Sequence, residues 1–196
     1  AIEHFGSVSG LPVLDLGCGM GQVTEALAAR GVFTVGLDLA RSRLKDTASR
    51  VSASYFVCAY GQELPFGDAS MGGVCAFEIF EHLTPSDSLL MAKEIQRILV
   101  PGSKVLLSTP NTSSLEARLK RVMRMRPRPD HFNEVSSSKI KNLFVDLGFS
   151  EVRTYGIGII PGMWRMQKLF PFSAIQDLNL TLGFNFPQVA SDTLLV

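Results

Sequence analysis

VLDLGCGMG, residues Val13 to Gly21, decides how the rest of this chain is read. Val13, Leu14 and Leu16 make a short apolar run interrupted by Asp15, and Gly17, Gly19 and Gly21 follow at once. Beyond them, Gln22 to Arg30 carries Val23, Ala26 and Leu27 at helical spacing. The expected local structure is a buried strand, a tight glycine turn and a helix. Glycine permits positive φ and lets the backbone approach a ligand with no Cβ in between. Further on, VFTVGLD, residues 32–38, reads as a second strand with Asp38 at its C-terminal tip. Ligands of open α/β sheets sit at that edge, where a carboxylate can hold ribose hydroxyls. The pattern implies a nucleoside site.

The spacing narrows the nucleoside. A dinucleotide site asks for G-x-G-x-x-G, with a helix N-terminus facing a pyrophosphate. Here the glycines run G-x-G-x-G, Gln22 stands where the third glycine would be, and Asp15 lies just ahead of the first. A carboxylate so close repels a pyrophosphate and suits a ligand carrying an ammonium and a sulfonium. The segment resembles motif I of the class I S-adenosylmethionine-dependent methyltransferases, an acid followed by x-G-x-G-x-G. GQELPFGDASMGGVCAFEIFEHL, Gly61 to Leu83, resembles the segment that family places around its fourth strand. In it Leu64-Pro65-Phe66 is the loop, Met71 to Phe77 the strand, and Glu78 to Leu83 the E-x-x-E-H-L run. EIQRILVPGSKVLLSTPN, Glu94 to Asn111, resembles the family's helix, Pro-Gly turn and fifth strand, with Lys104 to Ser108 extended. Proline fixes φ at such a turn and glycine reverses the chain. Lys139 to Phe149 reads as a helix closing on Gly148, and a strand starts at Glu151. EIFEHL and STPN are most similar to the small-molecule, type 11 group. That group includes ubiquinone-biosynthesis O-methyltransferases and enzymes acting on sugars or lipid-linked intermediates.

The resemblance implies S-adenosylmethionine as cofactor, S-adenosylhomocysteine as product, and a set of site residues. Gly17 and Gly19 bring backbone against the methionine and ribose parts, with Cys18 filling space beside them and backbone amides gripping the amino-acid tail. Asp15 fixes the amino group, through water. Asp38 takes the ribose hydroxyls, Leu39 and Leu64 flank the adenine, and Phe77 and Glu78 sit beside the amino-acid moiety. Where the family has an acid for the adenine amino group, this chain has Ala59-Tyr60. The Tyr60 ring either lies against the base or fills the loop under Leu64, and Gln62 or Glu63 supplies the polar contact. Met71-Gly72-Gly73 also departs from the family's Phe-Asp. Candidate bases for removing an acceptor proton are His82 first, then His131, then Glu81. For His82 packing or orienting the loop is the competing role, and His131 could equally belong to a helix N-terminal turn. Asn111 and His131 are candidate acceptor contacts.

Composition sets the frame. The chain has 196 residues, 46% of them hydrophobic and 19% charged, which fits one globular methyltransferase-like domain over 1–196. A net charge of +1 gives no general attraction to nucleic acid. Cys18, Cys58 and Cys75 show no C-x-x-C pair, which points to reduced thiols, a cytoplasmic protein and no metal site. Strands are expected near 12–16, 32–38, 54–58, 72–77, 103–109, 149–156 and 190–196. They alternate with helices, so the fold class is α/β, a Rossmann-like, mostly parallel sheet covered on both faces. The resemblance adds the order 3-2-1-4-5-7-6, with strand 7 antiparallel. Only Ala1 to Leu11 precede the first strand and there is no initiator methionine, which reads as a trimmed or processed start.

Two cap insertions, near 112–134 and 158–187, are expected to choose the acceptor. In the first, Leu115, Leu119, Val122 and Met123 share a helical face beside Arg118, Lys120, Arg121, Arg124, Arg126 and Arg128. Such a helix is either a solvated amphipathic face, a clamp for an anionic acceptor, or a contact with an anionic membrane. The second contains GIGIIPGMWRMQKLFPF, more apolar than a free loop, suited to core packing, a subunit contact or a greasy acceptor. The expected reaction is methyl transfer to an oxygen on a quinone, lipid or sugar-linked small molecule, by a monomer or homodimer. RNA methylation is the runner-up, nucleic acid otherwise being disfavoured as a partner. A cofactor-binding protein without catalysis is the third reading.

Overall fold

The computed structural model describes residues 10–51, 54–123, 136–157 and 192–195. These group into two compact units, one within Ala1–Phe77 and Pro85–Leu106, the other within Glu78–Thr84 and Leu107–Val196.

In the first unit, strand β1 (Val13–Leu16) leads through the glycine turn into helix α1 (Gln22–Ala28). Strand β2 (Thr34–Asp38), helix α2 (Arg41–Arg50), strand β3 (Ser54–Cys58), strand β4 (Met71–Phe77) and helix α3 (Pro85–Ile98) follow. β1 pairs in parallel with β2 on one side, Val13 opposite Thr34, and with β4 on the other, Val13 opposite Gly73. β2 pairs in parallel with β3, Asp38 opposite Cys58. All four residues of β1 are buried, as is β4 from Met71 to Ala76. Strands covered on both faces read as continuous apolar runs, which is why Val13, Leu14, Leu16, Val74 and Cys75 are legible as core. Among the described residues β3 pairs with β2 alone, and none of its residues is fully buried, as at an edge. α3 lays Met91, Ala92, Ile95 and Ile98 inward at helical spacing.

Strand β5 (Leu99–Pro110) begins earlier than expected, at Leu99. Pro101 and Gly102 lie inside it, Gly102 at a φ of 83°, and burial starts only at Val105. In the second unit, the end of β5 pairs antiparallel with strand β7 (Asp192–Leu195), Leu107 opposite Leu195. β7 pairs antiparallel with strand β6 (Thr154–Ile157). Helix α4 (Leu115–Val122) follows β5, and helix α5 (Ser137–Asp146) precedes β6. The Ser136 side chain caps α5 by accepting from the Lys139 amide, and Gly148 closes it at a φ of 88°. Phe80, Phe144 and Phe149 make edge-to-face pairs at 5.9 and 5.2 Å, the aromatic core of this unit. Residues 124–135, which hold His131 and the end of the first insertion, and the second insertion, 158–187, lie outside the described residues. Among the described residues no helix is long and apolar enough to cross a membrane.

Candidate functional site: a glycine turn and an acid run

The glycine turn is tied inward at every amide for which a bond is shown. The amides of Gly17 and Cys18 both donate to the Leu37 carbonyl, at 2.7 and 2.9 Å. The Gly19 amide donates to Asp38 Oδ2 at 2.9 Å, and the Gly21 amide to the Cys18 carbonyl at 2.7 Å. Asp38 therefore has a structural duty: its other oxygen, Oδ1, accepts the Ala40 amide at 2.7 Å ahead of α2. Each carboxylate oxygen keeps a further lone pair for a ribose hydroxyl. The amides of Gly17, Cys18 and Gly19 hold the turn to β2, and that of Gly21 closes it on itself. Gly21, the residue ahead of α1, sits at a φ of 74°, and a Cβ there would collide with Thr47 Cγ2 from α2. Thr47 Oγ1 also donates to the Gly19 carbonyl at 3.3 Å, so this one residue of α2 meets the turn at two points.

Asp15 lies at the heart of this arrangement. It is buried, and its Oδ2 accepts from Thr24 Oγ1 at 2.5 Å. Burial pushes its carboxyl up to about 6, the charge of Asp38 adding to the effect and the Thr24 bonds opposing it. Cys18 is buried beside these acids, and burial, then Asp15 and Asp38, push its thiol up to about 12. A thiol so raised is inert at neutral pH, in line with a space-filling role.

The segment after β3 carries the other expected cofactor contacts. Leu39 and Tyr60, at the C-terminal edges of β2 and β3, are 56% and 65% exposed. Tyr60 is therefore not packed beneath Leu64. Gln62 is half-buried, Glu63 exposed, Leu64 buried and Phe77 half-buried. The loop Leu64–Asp68 is held by a pair on α3 that the sequence reading did not single out. Glu94 Oε2 accepts the Leu64 amide at 2.7 Å, and Arg97 donates to the carbonyls of Leu64 and Phe66 at 3.1 and 2.8 Å. The Arg97 hydrogen bonds hold the Glu94 carboxyl below its ordinary value.

The second unit holds the acid run. Ser108 and Thr109, consecutive at the end of β5, each take one of its acids. Ser108 Oγ donates to Glu78 Oε1 at 2.6 Å, and the Ser108 carbonyl accepts the Glu78 amide at 3.0 Å. Thr109 Oγ1 donates to Glu81 Oε2 at 3.3 Å. Neighbouring strand residues point to opposite faces, and the two acids differ accordingly: Glu78 is exposed, whereas Glu81 is 1% exposed. Glu78 has a φ of 54°, a left-handed backbone that a non-glycine residue adopts at a cost and that clusters at functional sites. Burial, with the Glu78 charge adding, pushes the Glu81 carboxyl up to about 7, partly offset by its hydrogen bonds and by His82. His82 is exposed at the end of the short turn Phe80–His82. Asn111 is buried, and its Oδ1 accepts the Ser113 amide at 3.0 Å, shaping the entry to α4. Among the described residues no group of three or more His, Cys, Asp or Glu is placed to hold a metal ion.

This α/β architecture, with an acid-preceded glycine turn after β1, is that of the Rossmann-like S-adenosylmethionine-dependent methyltransferases. Residues 14–107 match the family described as a methyltransferase domain. The chain is 27% identical over 187 residues to a Mycobacterium tuberculosis protein named "Probable S-adenosylmethionine-dependent methyltransferase", covering 94% of this chain and 66% of that one. It is 30% identical over 140 residues to the ubiquinone biosynthesis O-methyltransferase of Chromobacterium violaceum, covering 66% and 60%. A crystal structure of an Archaeoglobus fulgidus S-adenosylmethionine-dependent methyltransferase shares the fold, with a TM-score of 0.71 at 19% identity over 94% of this chain and 84% of that one. Residues 14–107 thus resemble a methyltransferase domain, and the Mycobacterium tuberculosis relative is named as S-adenosylmethionine-dependent. It spans less than two thirds of the length of these curated relatives.

Proposed function

We propose that the first unit binds S-adenosylmethionine and that the protein transfers the methyl group to an oxygen nucleophile on a small acceptor, a quinone, lipid or sugar-linked intermediate. The observation that carries this reading is the glycine turn. Its amides at Gly17, Cys18, Gly19 and Gly21 are committed within the protein, and the Asp38 carboxylate at the turn keeps lone pairs to offer a ligand. Such a surface suits an ammonium and a sulfonium, whereas the carboxylates of Asp15 and Asp38 repel a pyrophosphate. The O-methyltransferase among the relatives supports oxygen as the acceptor atom.

The donor supplies a methyl group already activated by its sulfonium, so the protein's tasks are alignment, exclusion of water and removal of one proton. Asp38 receives the ribose hydroxyls on lone pairs left by Gly19 and Ala40. His82 takes the acceptor's proton. Leu119 and Val122 of α4 and Met123 just after it are exposed, as is Arg118, which supports a peripheral contact with an anionic lipid surface where a greasy acceptor is met. The test is incubation with radiolabelled S-adenosylmethionine and fractionated cell extract. Label in the lipid, quinone or saccharide fraction supports the proposal. Label confined to RNA would replace it with the runner-up, and tight binding with no label anywhere would make the protein a non-catalytic binder.

A further inference from the structure

Arg97 on α3 lies far in sequence from the glycine turn, yet its guanidinium is saturated by the loop after β3. Nε donates to Glu94 Oε1 at 2.7 Å. Nη1 donates to the Phe66 carbonyl and to Asp68 Oδ1, both at 2.8 Å. Nη2 donates to the Leu64 carbonyl at 3.1 Å and to Glu94 Oε2 at 2.8 Å. A guanidinium has five N–H donors, so every one has an acceptor here. Glu94 completes the clasp by accepting the Leu64 amide at 2.7 Å, which engages both backbone polar groups of Leu64. The backbone of the same turn of α3 takes the far end: the Arg97 carbonyl accepts the Ala69 amide at 3.0 Å and the Ile98 carbonyl accepts the Ser70 amide at 2.8 Å.

We infer that Arg97, with Glu94, is a positioning residue for the base-binding loop: it sets the affinity for the cofactor's adenine without touching it, by fixing the backbone that carries Leu64. The inference rests on the reading of the first unit as an S-adenosylmethionine site. A clasp that only knitted the fold together would need no bidentate pair plus three separate loop acceptors on a side chain that is one third exposed, since exposed ion pairs contribute little to stability. Its value lies in geometry. A planar fork locks several main-chain oxygens at once, and lysine, with a point charge and three donors, cannot reproduce it.

The experiment is calorimetric titration of S-adenosylhomocysteine into wild type, Arg97→Lys, Leu64→Ala and the double variant, with unfolding temperatures measured alongside. Arg97→Lys is expected to weaken binding about tenfold, the loss of one to two charge-assisted hydrogen bonds. In the Leu64→Ala background the same change should cost much less, because the loop then has no flanking side chain to place. Asp68→Ala, at an exposed side chain that poses no folding risk, removes one of the five acceptors and should weaken binding about two- to fourfold. Unchanged affinity in Arg97→Lys and Asp68→Ala, or losses that simply add in the double variant, overturn the positioning role while leaving the cofactor reading intact. Failure of the wild type to bind S-adenosylhomocysteine removes that reading and this inference with it.

Discussion

The turn Gly17–Gly21 and the run Glu78–His82 each follow a buried strand, yet they handle their acids in opposite ways. At the turn, Asp38 is occupied by backbone amides, and Asp15 is buried against one hydroxyl. In the acid run, both carboxyls are received by side-chain hydroxyls of β5, one on each face, and the chain takes a left-handed step at Glu78. The first arrangement is rigid and main-chain based, suited to a ligand of fixed shape. The second is held by side chains, the hydroxyls of Ser108 and Thr109.

The largest effect should come from the rigid side. Gly21→Ala imposes a strained φ and drives a methyl group into Thr47 Cγ2. Unfolding free energy should fall by about 3 kcal/mol or more. Thr47→Ser, which removes the obstructing methyl and keeps the hydroxyl, should recover part of that loss in a denaturant titration. Asp38→Ala comes next, because it strands the Gly19 and Ala40 amides as well as removing the ribose partner. Affinity for S-adenosylhomocysteine should drop roughly tenfold to a hundredfold, about 1.5–3 kcal/mol.

The buried acids predict an inverted pH response. Asp15 is raised from 3.8 to about 6 and Glu81 from 4.5 to about 7, so between pH 4 and 7 the folded state binds more protons than the unfolded one. Stability then falls as pH rises through that window. For Asp15 the share is roughly 3 kcal/mol, fully felt above about pH 6. Asp15→Asn keeps an acceptor for Thr24 and should be more stable than wild type at pH 8 but not at pH 4, as urea midpoints at the two pH values would show. The same variant should bind the cofactor less well, since the charge that destabilises the fold is the one a cationic ligand seeks. The smallest change is Ser108→Ala, which frees the Glu78 carboxylate expected beside the cofactor's amino-acid moiety and should weaken S-adenosylhomocysteine binding severalfold, about 1 kcal/mol, in a calorimetric titration.

The two regions also differ in how far they were legible beforehand. β1, the turn and β2 are written in local chemistry: a continuous apolar run, glycines at φ-demanding positions, an acid at a strand tip. α5 was expected from Lys139, and it begins at Ser137 because the Ser136 side chain caps it ahead of that point. The commitment of the turn's amides was not legible, because their partners are the Leu37 carbonyl and a carboxylate from another strand. Arg97 escaped notice for the same reason: three of its five acceptors, two of them main-chain carbonyls, lie about thirty residues upstream, and a carbonyl leaves no trace in residue identity. Ser108 and Thr109 looked like ordinary strand residues until β5 was placed. The early start of β5 followed from Leu99 and Val100 extending ahead of the Pro-Gly bend.

Calorimetric titration of the full-length protein with S-adenosylhomocysteine and, separately, with NADH tests the central claim most directly. The account predicts saturable binding of the first, lost or greatly weakened in Asp38→Ala, and no binding of the second. Comparable binding of NADH, or no heat with S-adenosylhomocysteine, would contradict it.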